Sequence, residues 1–472
     1  MSVGASTQRK RDLAAAMDHY QQLTGVGTPR PELLALQQRR LVQTAREAAT
    51  HSPLYRELYA GLELSDDLDV RTLPVVSKAM LMERFDEWVT DPCLHLSGVQ
   101  EHLEQLCGDE LYLGEYRCMP SGGTTGRKGI FVYDRDEWRQ CLAAFLRWSE
   151  LTGMRRDPGR RVRVGRVGAS SPLHMTARFG FSLDFGQYAW CHLDARAPLD
   201  DIVAALNAHK PERLMGYPSM VSLLALEQLE GRLCIAPGAV STNSELRTEE
   251  MTANIRAAWG VEPFNLYGAT ETLFAGDCEH HRGLHVFEDL ALVEVVDDDN
   301  RPVPDGVVGT KLLVTSFIKR SQPLLRYELS DMVALDSAPC PCGRPLARMV
   351  SVEGRSDDIL HLESGDGRTV AVHPLTLRSP MAALPELRQY KIVHDRTGLH
   401  VLVALRDGVA ADEAARRIDA TLRAKLQSAS VADPRLEVRI VPELARQPGH
   451  SAKLKLIESR TAPTPVTPAP IN

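Results

Sequence analysis

The sequence predicts an α/β protein in which a large N-terminal domain, built from βαβ units around a parallel sheet, precedes a small α+β domain. The chain of 472 residues is longer than one ordinary domain, so two or three domains are expected. Short apolar runs typical of strands alternate with helical patterns through most of the chain. Near residue 357 the pattern changes to two strands, an amphipathic helix and a last strand. We therefore expect domains at residues 1–356 and 357–460, followed by a disordered Pro/Thr-rich tail at residues 461–472.

The composition is typical of a globular protein that acts on small molecules. The apolar share is 43% and the charged share is 25%. A net charge of -7 without any basic run argues against a nucleic-acid partner. No apolar run approaches the roughly 18 residues that span a bilayer, and the polar first residues lack the apolar core of a secretory signal. We expect a cytoplasmic protein with no membrane partner. The nine cysteines are an odd number, so a disulfide framework is not expected.

The first part of the chain is expected to be helical. Apolar residues recur at helical spacing from residue 33 to residue 48, and the segment at residues 51–55 breaks and restarts the pattern. Residues 73–76 are typical of an extended piece, and Ser77 is a suitable N-cap for the helix that follows.

A glycine- and hydroxyl-rich loop follows, and it has the composition of a phosphate cradle. Glycines allow backbone N–H groups to approach an anion, hydroxyls can donate to phosphate oxygens, and the basic side chains add positive charge. An ordinary surface turn is the alternative. The loop does not match the Walker pattern, because no Gly-Lys-Ser/Thr leads it into a helix. Its candidate phosphate-binding residues are Ser121, Gly122, Gly123, Thr124, Thr125, Gly126 and Arg127.

The middle of the chain alternates strands with helices, which implies parallel sheet. A strand is expected at residues 162–167, a helix at residues 202–206, and a strand end at residues 213–219 that leads into a helix through Leu229. Ligands of such sheets bind outside the carboxyl ends of the strands. Segments that follow strand ends are therefore where ligand-binding residues are expected.

Two pairs of cysteine and histidine residues suggest a structural zinc site. Cys340 and Cys342 flank a proline and precede a glycine, and Cys278 lies three residues before His281. Four such ligands from two loops suit tetrahedral zinc with no open position. The spacing favours His281 over His280, and His285 is expected to pack or to face a nucleotide. Reduced surface cysteines are the alternative.

Taken together, the motifs resemble the adenylate-forming ligase superfamily, and most closely its phenylacetate-CoA ligase family. The resemblance covers nearly the whole chain. Residues 121–127 match the phosphate loop, residues 267–271 the adenine and magnesium motif, and residues 325–331 the ribose motif. Residues 283–289 resemble a stretch particular to this subgroup, and residues 354–358 match the interdomain hinge. Several motifs in family order are a much stronger signal than any one of them.

The resemblance implies an adenylate-forming fold and an ATP- and Mg²⁺-dependent activation of a carboxylic acid to an acyl-AMP, followed by transfer to a thiol, most simply CoA. The implied catalytic residues are Lys453, Glu271 and Thr270, and the implied nucleotide-binding residues are Tyr267, Gly268, Ala269, Asp331 and Arg355. Lys453 would bridge carboxylate and phosphate oxygens, and Glu271 would help to place Mg²⁺. Lys455 is the alternative catalytic lysine, because the usual glycine before the lysine is missing here. The small domain is expected to swing about Asp357, with an ordinary charged linker as the alternative.

The acid is expected to lie among strand ends of the large domain. The candidate pocket residues are Ala169, His174, Met175, Gly216, Tyr217 and Pro218. His174 occupies a position that resembles an aromatic gate, although a structural histidine is an equal alternative. The lining suits an aryl or arylacetic acid. An amino acid is disfavoured as the substrate, because the sequence shows no obvious buried carboxylate that could bind its amino group. Asp184 or Asp194 would change this expectation if either carboxylate lay in the pocket.

Two other functions stay open. The enzyme could load the acid onto the phosphopantetheine thiol of an acyl or peptidyl carrier protein in a biosynthetic pathway. The chain could also be a non-catalytic, zinc-stabilised nucleotide-binding protein, for which the altered stretch before Lys453 is the only support. The identity of the acid is not predicted, nor is the oligomeric state, for which a homodimer is one option.

Overall fold

The computed structural model describes residues 3–23, 27–121, 129–152, 160–182, 187–364, 367–446 and 452–461. The α-helices, in chain order from α1 to α13, are Val3–Gln22, Arg30–His51, Pro53–Leu58, Lys78–Glu83, Phe85–Trp88, Leu96–Gln105, Arg135–Leu151, Met175–Ser182, Leu199–His209, Pro218–Leu229, Glu249–Trp259, Pro374–Ala382 and Ala411–Ser428. The strands β1 to β10 are Arg117–Pro120, Ile130–Tyr133, Val162–Gly168, Tyr188–Asp194, Arg213–Gly216, Ala239–Asn243, Phe264–Gly268, Leu273–Gly276, Leu284–Val286 and Ala291–Val296. The strands β11 to β20 are Lys311–Ser316, Tyr327–Leu329, Asp331–Asp336, Arg348–Arg355, Leu360–Glu363, Thr369–Val372, Leu387–Asp395, Gly398–Leu405, Leu436–Ile440 and Ile457–Ser459.

A nine-stranded mixed sheet forms the centre of the large domain. Its order is β13-β14-β9-β8-β7-β6-β5-β3-β4. The neighbours from β7 to β4 pair in parallel, whereas β8, β9, β14 and β13 pair antiparallel. The parallel part is the βαβ region that the sequence predicts, because helices α8 to α11 connect its strands.

Helices and smaller sheets cover this sheet and complete its core. The largest apolar cluster includes the buried side chains of Trp88, Trp138 and Trp148. Helix α7 begins with a capping box, in which Asp134 accepts from the N–H of Glu137 and Glu137 accepts from the N–H of Asp134. The predicted N-cap Ser77 accepts from the N–H of Met80 at 3.3 Å. Strands β10, β11 and β12 form a separate three-stranded sheet beside this core.

The last part of the chain forms its own α+β unit. Strands β19, β18, β17 and β20 form a four-stranded sheet in that order, and helices α12 and α13 pack with it. A separate apolar cluster fills this unit and includes Leu377, Ile392, Val401 and Leu422. The predicted fold class is therefore confirmed. The mobility of the small domain and its exact bounds stay predictions, and residues 462–472 of the predicted tail lie outside the described part of the chain.

Several polar contacts hold the small unit against the large one. The buried Glu227 of α10 pairs with Arg388 of β17, and also with Arg232 at 2.6 Å. The side-chain amide of Gln389 donates to the Ser219 carbonyl at 3.3 Å. Within the described ranges, no helix has both the length and the apolar character that crossing a membrane requires.

Candidate active site

One large cavity opens where the ends of the parallel strands meet the small unit. Its volume is about 880 Å³. The walls come from the large sheet, from helix α8 and from the segment that contains Lys453. The location matches the expectation that ligands bind outside the carboxyl ends of parallel strands.

The cavity brings together the predicted nucleotide-side residues. Tyr267, Gly268, Ala269, Thr270 and Glu271 all line it, and so do Asp331 and Arg355. Burial, and then the neighbouring Asp331 carboxylate, raise the pKa of the Tyr267 hydroxyl well above its usual range, so this hydroxyl stays a neutral donor. Asp331 lies 3.6 Å from Arg355 and is the main reason that the pKa of Arg355 is raised.

Two tyrosines hold the Glu271 turn in place. The hydroxyl of Tyr327 donates to Oε1 of Glu271 at 3.0 Å. The hydroxyl of Tyr133 lies 2.7 Å from the carbonyl oxygen of Thr270 and 2.8 Å from that of Glu271. Tyr133 ends strand β2, which directly follows the glycine-rich loop. The turn that carries Glu271 is therefore fixed relative to the strand that leaves this loop.

Most of the glycine-rich loop falls outside the described residues, namely Gly122, Gly123, Thr124, Thr125, Gly126 and Arg127. Its first residue, Ser121, is described and lines the cavity. The Ser121 N–H donates to the Gly129 carbonyl at 2.7 Å, and the Gly129 N–H donates to Oγ of Ser121 at 3.0 Å. These bonds close the base of the loop at the edge of the cavity.

The two candidate lysines occupy different environments. Lys455 pairs with Asp358 at 2.6 Å. Lys453 lines the cavity near Arg355, Glu245, Asp331 and Glu271. Burial lowers the pKa of Lys453 to about 8, with a further contribution from Arg355. A partly desolvated ammonium group close to the carboxylates and next to the nucleotide-side residues is suited to bind anionic oxygens. This environment favours Lys453 over Lys455 as the catalytic lysine.

The predicted acid-binding residues divide into two groups. His174 and Met175 line the cavity, whereas Ala169, Gly216, Tyr217 and Pro218 are not among its lining residues. Tyr217 is buried, its hydroxyl accepts from the Ala169 N–H at 3.2 Å, and His174 contacts its ring edge to face at 6.4 Å. A Cβ at Gly216 would lie 2.5 Å from the Val167 carbonyl oxygen, so this glycine permits close strand packing. These residues support the wall rather than form it.

The sequence analysis missed the side chains that form the far wall of the cavity, which are Phe145, Arg166, Phe179, Trp190 and Met215. A signal for three of them existed. Arg166, Trp190 and Met215 belong to neighbouring parallel strands, and strand alternation puts them on one sheet face once the strand order is known. Asp194 pairs with Arg196 at 2.7 Å, and Asp184 lies outside the described residues.

Four side chains of the types that can bind a metal ion form a cluster beside this cavity. They are Cys278, His285, Cys340 and Cys342, and their ligand atoms lie within 4.8 Å of one another. The Sγ atoms of Cys278 and Cys340 are 3.9 Å apart, and Nε2 of His285 is 3.3 Å from Sγ of Cys342. Tetrahedral zinc with Zn–S bonds of 2.3 Å separates two sulfurs by about 3.8 Å, so the spacing fits zinc and is too long for a disulfide.

The histidine of this cluster differs from the one that the spacing favoured. The structure brings His285 to the cysteines, whereas His281 packs against Phe264 at 4.5 Å and lies 3.8 Å from Asp277. The hairpin between β8 and β9 is the reason, since it reverses the chain and pairs His285 with Gly276. Burial lowers the pKa of His285 to about 4, so its imidazole is neutral at pH 7, which is the form that binds a metal.

The predicted hinge residue lies between the two units. Asp357 is part of the 3-10 helix Ser356–Asp358, which connects β14 to β15. The Ser330 hydroxyl donates to Oδ2 of Asp357 at 2.8 Å. The location fits a hinge, and the pivoting itself stays a prediction.

Three curated relatives of the chain are named phenylacetate-coenzyme A ligase. The chain is 28% identical over 402 residues to a phenylacetate-coenzyme A ligase of Thermus thermophilus, with 78% of this chain and 80% of that protein covered. It is 26% identical over 391 residues to a phenylacetate-coenzyme A ligase of Aromatoleum evansii, with 78% and 79% covered. No protein-family profile matches the chain.

Solved structures agree on the fold. A 2-hydroxyisobutyryl-CoA ligase in the postadenylation state, in complex with 2-HIB-AMP, matches with a TM-score of 0.69 and 22% identity, and 90% of this chain and 89% of that chain are covered. The same ligase in the thioesterification state matches with a TM-score of 0.58 and 21% identity, with 92% and 91% covered. The chain is therefore similar in sequence to phenylacetate-coenzyme A ligases, and it shares its fold with a 2-hydroxyisobutyryl-CoA ligase.

Proposed function

We propose that the protein is an AMP-forming acid–thiol ligase, which activates a carboxylic acid with ATP and transfers the acyl group to CoA. One observation carries the proposal. A single cavity combines Lys453 of the small unit with Tyr267, Glu271 and Asp331 of the large domain. The relatives named phenylacetate-coenzyme A ligase support an aryl or arylacetic acid as the substrate.

In the first half-reaction, an oxygen of the acid attacks the α-phosphorus of ATP, and the bond from that phosphorus to the bridging oxygen breaks to release pyrophosphate. Lys453 neutralises the charge that gathers on the carboxylate and phosphate oxygens, because its ammonium group faces the cavity. Glu271 would help to hold Mg²⁺, a hard cation that prefers carboxylate and phosphate oxygens. Tyr267 packs against the adenine and Asp331 accepts from the ribose hydroxyls.

In the second half-reaction, a thiol attacks the acyl carbon, and AMP leaves with the electron pair of the broken C–O bond. Free CoA is the proposed acceptor, with a carrier-protein phosphopantetheine as the alternative. The small domain is proposed to turn about Asp357 between the two steps, since a hinge needs only a few residues that absorb a backbone change. A cytoplasmic location and a homodimer stay predictions.

We propose zinc as the ion for the cluster of Cys278, His285, Cys340 and Cys342. Three thiolates and one imidazole are the donors of a closed structural site. The ion would tie the segment after β8 to the segment after β13, and both of these strands belong to the sheet that carries the nucleotide-side residues.

Acid-dependent exchange of pyrophosphate into ATP, followed by detection of the CoA thioester, tests the proposal. We expect exchange with at least one aryl or arylacetic acid, and a loss of about 100-fold or more in Lys453→Ala. Lys455→Ala is the matched control, since Lys455 lines the same cavity but pairs with Asp358. Exchange without any CoA thioester would favour a carrier-protein thiol, and ATP binding without exchange for any acid would favour the non-catalytic alternative.

A further inference from the structure

One face of the large sheet, near its β3–β4 edge, forms part of the far wall of the cavity. Arg166 of β3 pairs in register with His192 of β4 and Met215 of β5, and Trp190 lies two residues before His192. Because side chains alternate along strands, Arg166, Trp190 and Met215 share a face, and all three line the cavity. This edge therefore combines two large apolar side chains with one cation.

Arg166 has hydrogen bonds but no ion-pair partner among the described residues. Its Nη2 atom donates to the Thr176 hydroxyl at 2.9 Å and to the Ala169 carbonyl at 3.1 Å. No carboxylate pairs with it in the described part of the chain. Arg166 lines the cavity, and its Nε and Nη1 atoms have no hydrogen-bond partner among the described residues. The two bonds fix the guanidinium plane and leave these N–H groups for a ligand.

The charge of Asp194 acts on Arg166 and raises its pKa, but the two side chains do not form an ion pair. Asp194, which ends strand β4, pairs with Arg196 at 2.7 Å and accepts from the Ser170 hydroxyl. Burial lowers the pKa of Arg166, which shows that the surroundings disfavour its charge. Charged side chains are rarely buried without a paired charge, because removing them from water is costly. A guanidinium that lines a cavity without an ion-pair partner is therefore a candidate to bind an anionic ligand.

Aromatic side chains lie next to this cation. Phe145 and Phe179 stack with ring centroids 5.9 Å apart, and both line the cavity. Trp190 stacks on His192 at 5.0 Å. Gly180 also lines the cavity and leaves room there, because a Cβ at this position would lie 3.4 Å from His192. Flat apolar walls of this kind suit an aromatic ring.

Arg166 lies far from the nucleotide-side residues. Strand β3, which carries Arg166, is three strands away from β7, which carries Tyr267. At about 4.8 Å per strand, the two strands are roughly 14 Å apart. The strand pairing also aligns Arg166 with Phe264 of β7. Phe264 lies three residues before Tyr267, so Arg166 is displaced from Tyr267 along the strand direction as well. A ligand that reaches both regions must carry its reacting carboxylate at one end and the group that Arg166 binds at the other.

We propose that the acid activated by this enzyme carries a second anionic group, such as a ring carboxylate, and that Arg166 binds this group while the ring lies against Phe145, Phe179 and Trp190. This inference rests on the proposed function and deepens it, because it names the class of acid. The charge of Arg166 then selects a dianionic aryl or arylacetic acid over the same acid without the second charge, since charge-assisted hydrogen bonds are the stronger kind.

Pairs of acids that differ only in the second charge test the proposal. The probes are 3- and 4-carboxyphenylacetate, their ring monomethyl esters and phenylacetate, with the exchange of pyrophosphate into ATP as the assay. For the wild-type chain we expect kcat/KM for a dianionic acid to exceed that for its ester by roughly 10- to 100-fold. Arg166→Met should remove this preference by lowering kcat/KM for the dianion alone, and Arg166→Lys should keep part of it.

The matched control is Arg163→Met. Arg163 is on the same strand but is exposed and lies 3.6 Å from Glu212. This variant should keep the wild-type preference, and the circular dichroism spectrum of Arg166→Met should equal that of the wild type.

An equal loss of kcat/KM for all acids in Arg166→Met would overturn the proposal, because Arg166 would then bind the reacting carboxylate or support the fold. A wild-type chain that uses the ester or phenylacetate as well as the dianion would also overturn it. Exchange with no acid at all would overturn the proposed function itself.

Discussion

The backbone N–H of Leu454 donates to the Glu245 carboxylate at 2.7 Å, which fixes the residue next to Lys453 to the large domain. The same carboxylate accepts from the Ser219 N–H at 3.2 Å and lies 3.5 Å from Arg446. Glu245 follows strand β6, so one side chain of the large domain holds the segment that presents Lys453 to the cavity. Glu245 is thus a positioning residue.

Replacing Glu245 with glutamine should slow adenylation more than thioester formation. The amide keeps the size of the side chain but loses the charge that holds Arg446 and the Leu454 N–H. We expect exchange of pyrophosphate into ATP to fall by roughly 10-fold, which is the loss of about one charge-assisted hydrogen bond. Thioester formation from pre-formed acyl-adenylate should change less, and rapid-quench measurement of both steps checks this.

The control for this variant is Asp407→Asn. Asp407 also contacts the other unit, through Arg232 at 3.2 Å, but its side chain is 75% exposed and the ion pair is worth little. This variant should leave both steps unchanged. An equal loss in both steps for Glu245→Gln would show that Glu245 supports the fold in general.

The pH profile of adenylation should report the ionisation of Lys453. Burial lowers the pKa of this ammonium group to about 8, and it must be charged to bind anionic oxygens. As the pH rises through about 8, the charged fraction in the free enzyme falls, so kcat/KM for exchange should fall as well. Lys453→Arg should move this decline to higher pH, because arginine stays charged.

Lys455→Arg is the control for the pH profile. Lys455 lines the same cavity, but its ammonium group is held by Asp358. The decline near pH 8 should stay in place in this variant. A decline that moves in Lys455→Arg and not in Lys453→Arg would assign the catalytic role to Lys455.

Local patterns in the sequence were sufficient for the fold class and for some local features. Alternation of strands and helices predicted the parallel part of the sheet, and Ser77 caps its helix as expected because capping depends only on residues three positions apart. The nucleotide-side residues were predicted from contiguous motifs, and Tyr267, Glu271 and Asp331 line one cavity. Each of these inferences uses neighbouring residues in the chain.

Features that depend on distant parts of the chain were missed. The choice between His281 and His285 is made by the β8–β9 hairpin, which pairs His285 with Gly276. Arg166 lines the cavity because β3 lies between β4 and β5, and this strand order is not encoded in any local pattern. Ala169 and Tyr217 were predicted to line the acid pocket, but neither lines the cavity. They contact each other behind the residues that form its wall.

Removing one side chain of the Cys278, His285, Cys340 and Cys342 cluster should release the metal. Replacement of His285 should lower the zinc content, whereas replacement of His281 should not. We expect about one zinc per chain in the purified protein, bound by three sulfurs and one nitrogen. His285→Ala should lose most of it and should melt at a lower temperature, because a closed structural site contributes binding free energy to the folded state. Metal analysis and thermal unfolding, each before and after dialysis against a chelator, check both expectations.

His281→Ala is the control for the metal site. His281 is four residues from His285 in the sequence but packs against Phe264. This variant should keep its zinc, and a chelator should lower its thermal stability as much as it lowers that of the wild type. Zinc loss in His281→Ala but not in His285→Ala would restore the ligand set that the sequence spacing favours.

A buried ion pair links helix α7 to the segment after β9, and breaking it from one side should destabilise the protein strongly. Nη1 of Arg147 lies 2.7 Å from Oδ2 of Asp289, and the two side chains are 1% and 0% exposed. The guanidinium also lies 4.4 Å from the centroid of the Phe287 ring. Arg147→Met leaves the buried Asp289 carboxylate without its ion-pair partner, although the charge of Arg40 still acts on it. We therefore expect the free energy of unfolding to fall by an amount at the lower end of about 3 to 5 kcal/mol.

The double variant Arg147→Met/Asp289→Leu decides whether this loss comes from the unpaired charge. Because it removes both charges and keeps apolar volume, it should recover most of the lost stability in chemical denaturation. The exposed pair of Arg301 and Asp299 is the control, with side chains 75% and 67% exposed, and Arg301→Met should cost less than about 1 kcal/mol. If the double variant were as unstable as Arg147→Met, the loss would come from packing around Phe287 instead, and the ion pair would not be what stabilises this contact.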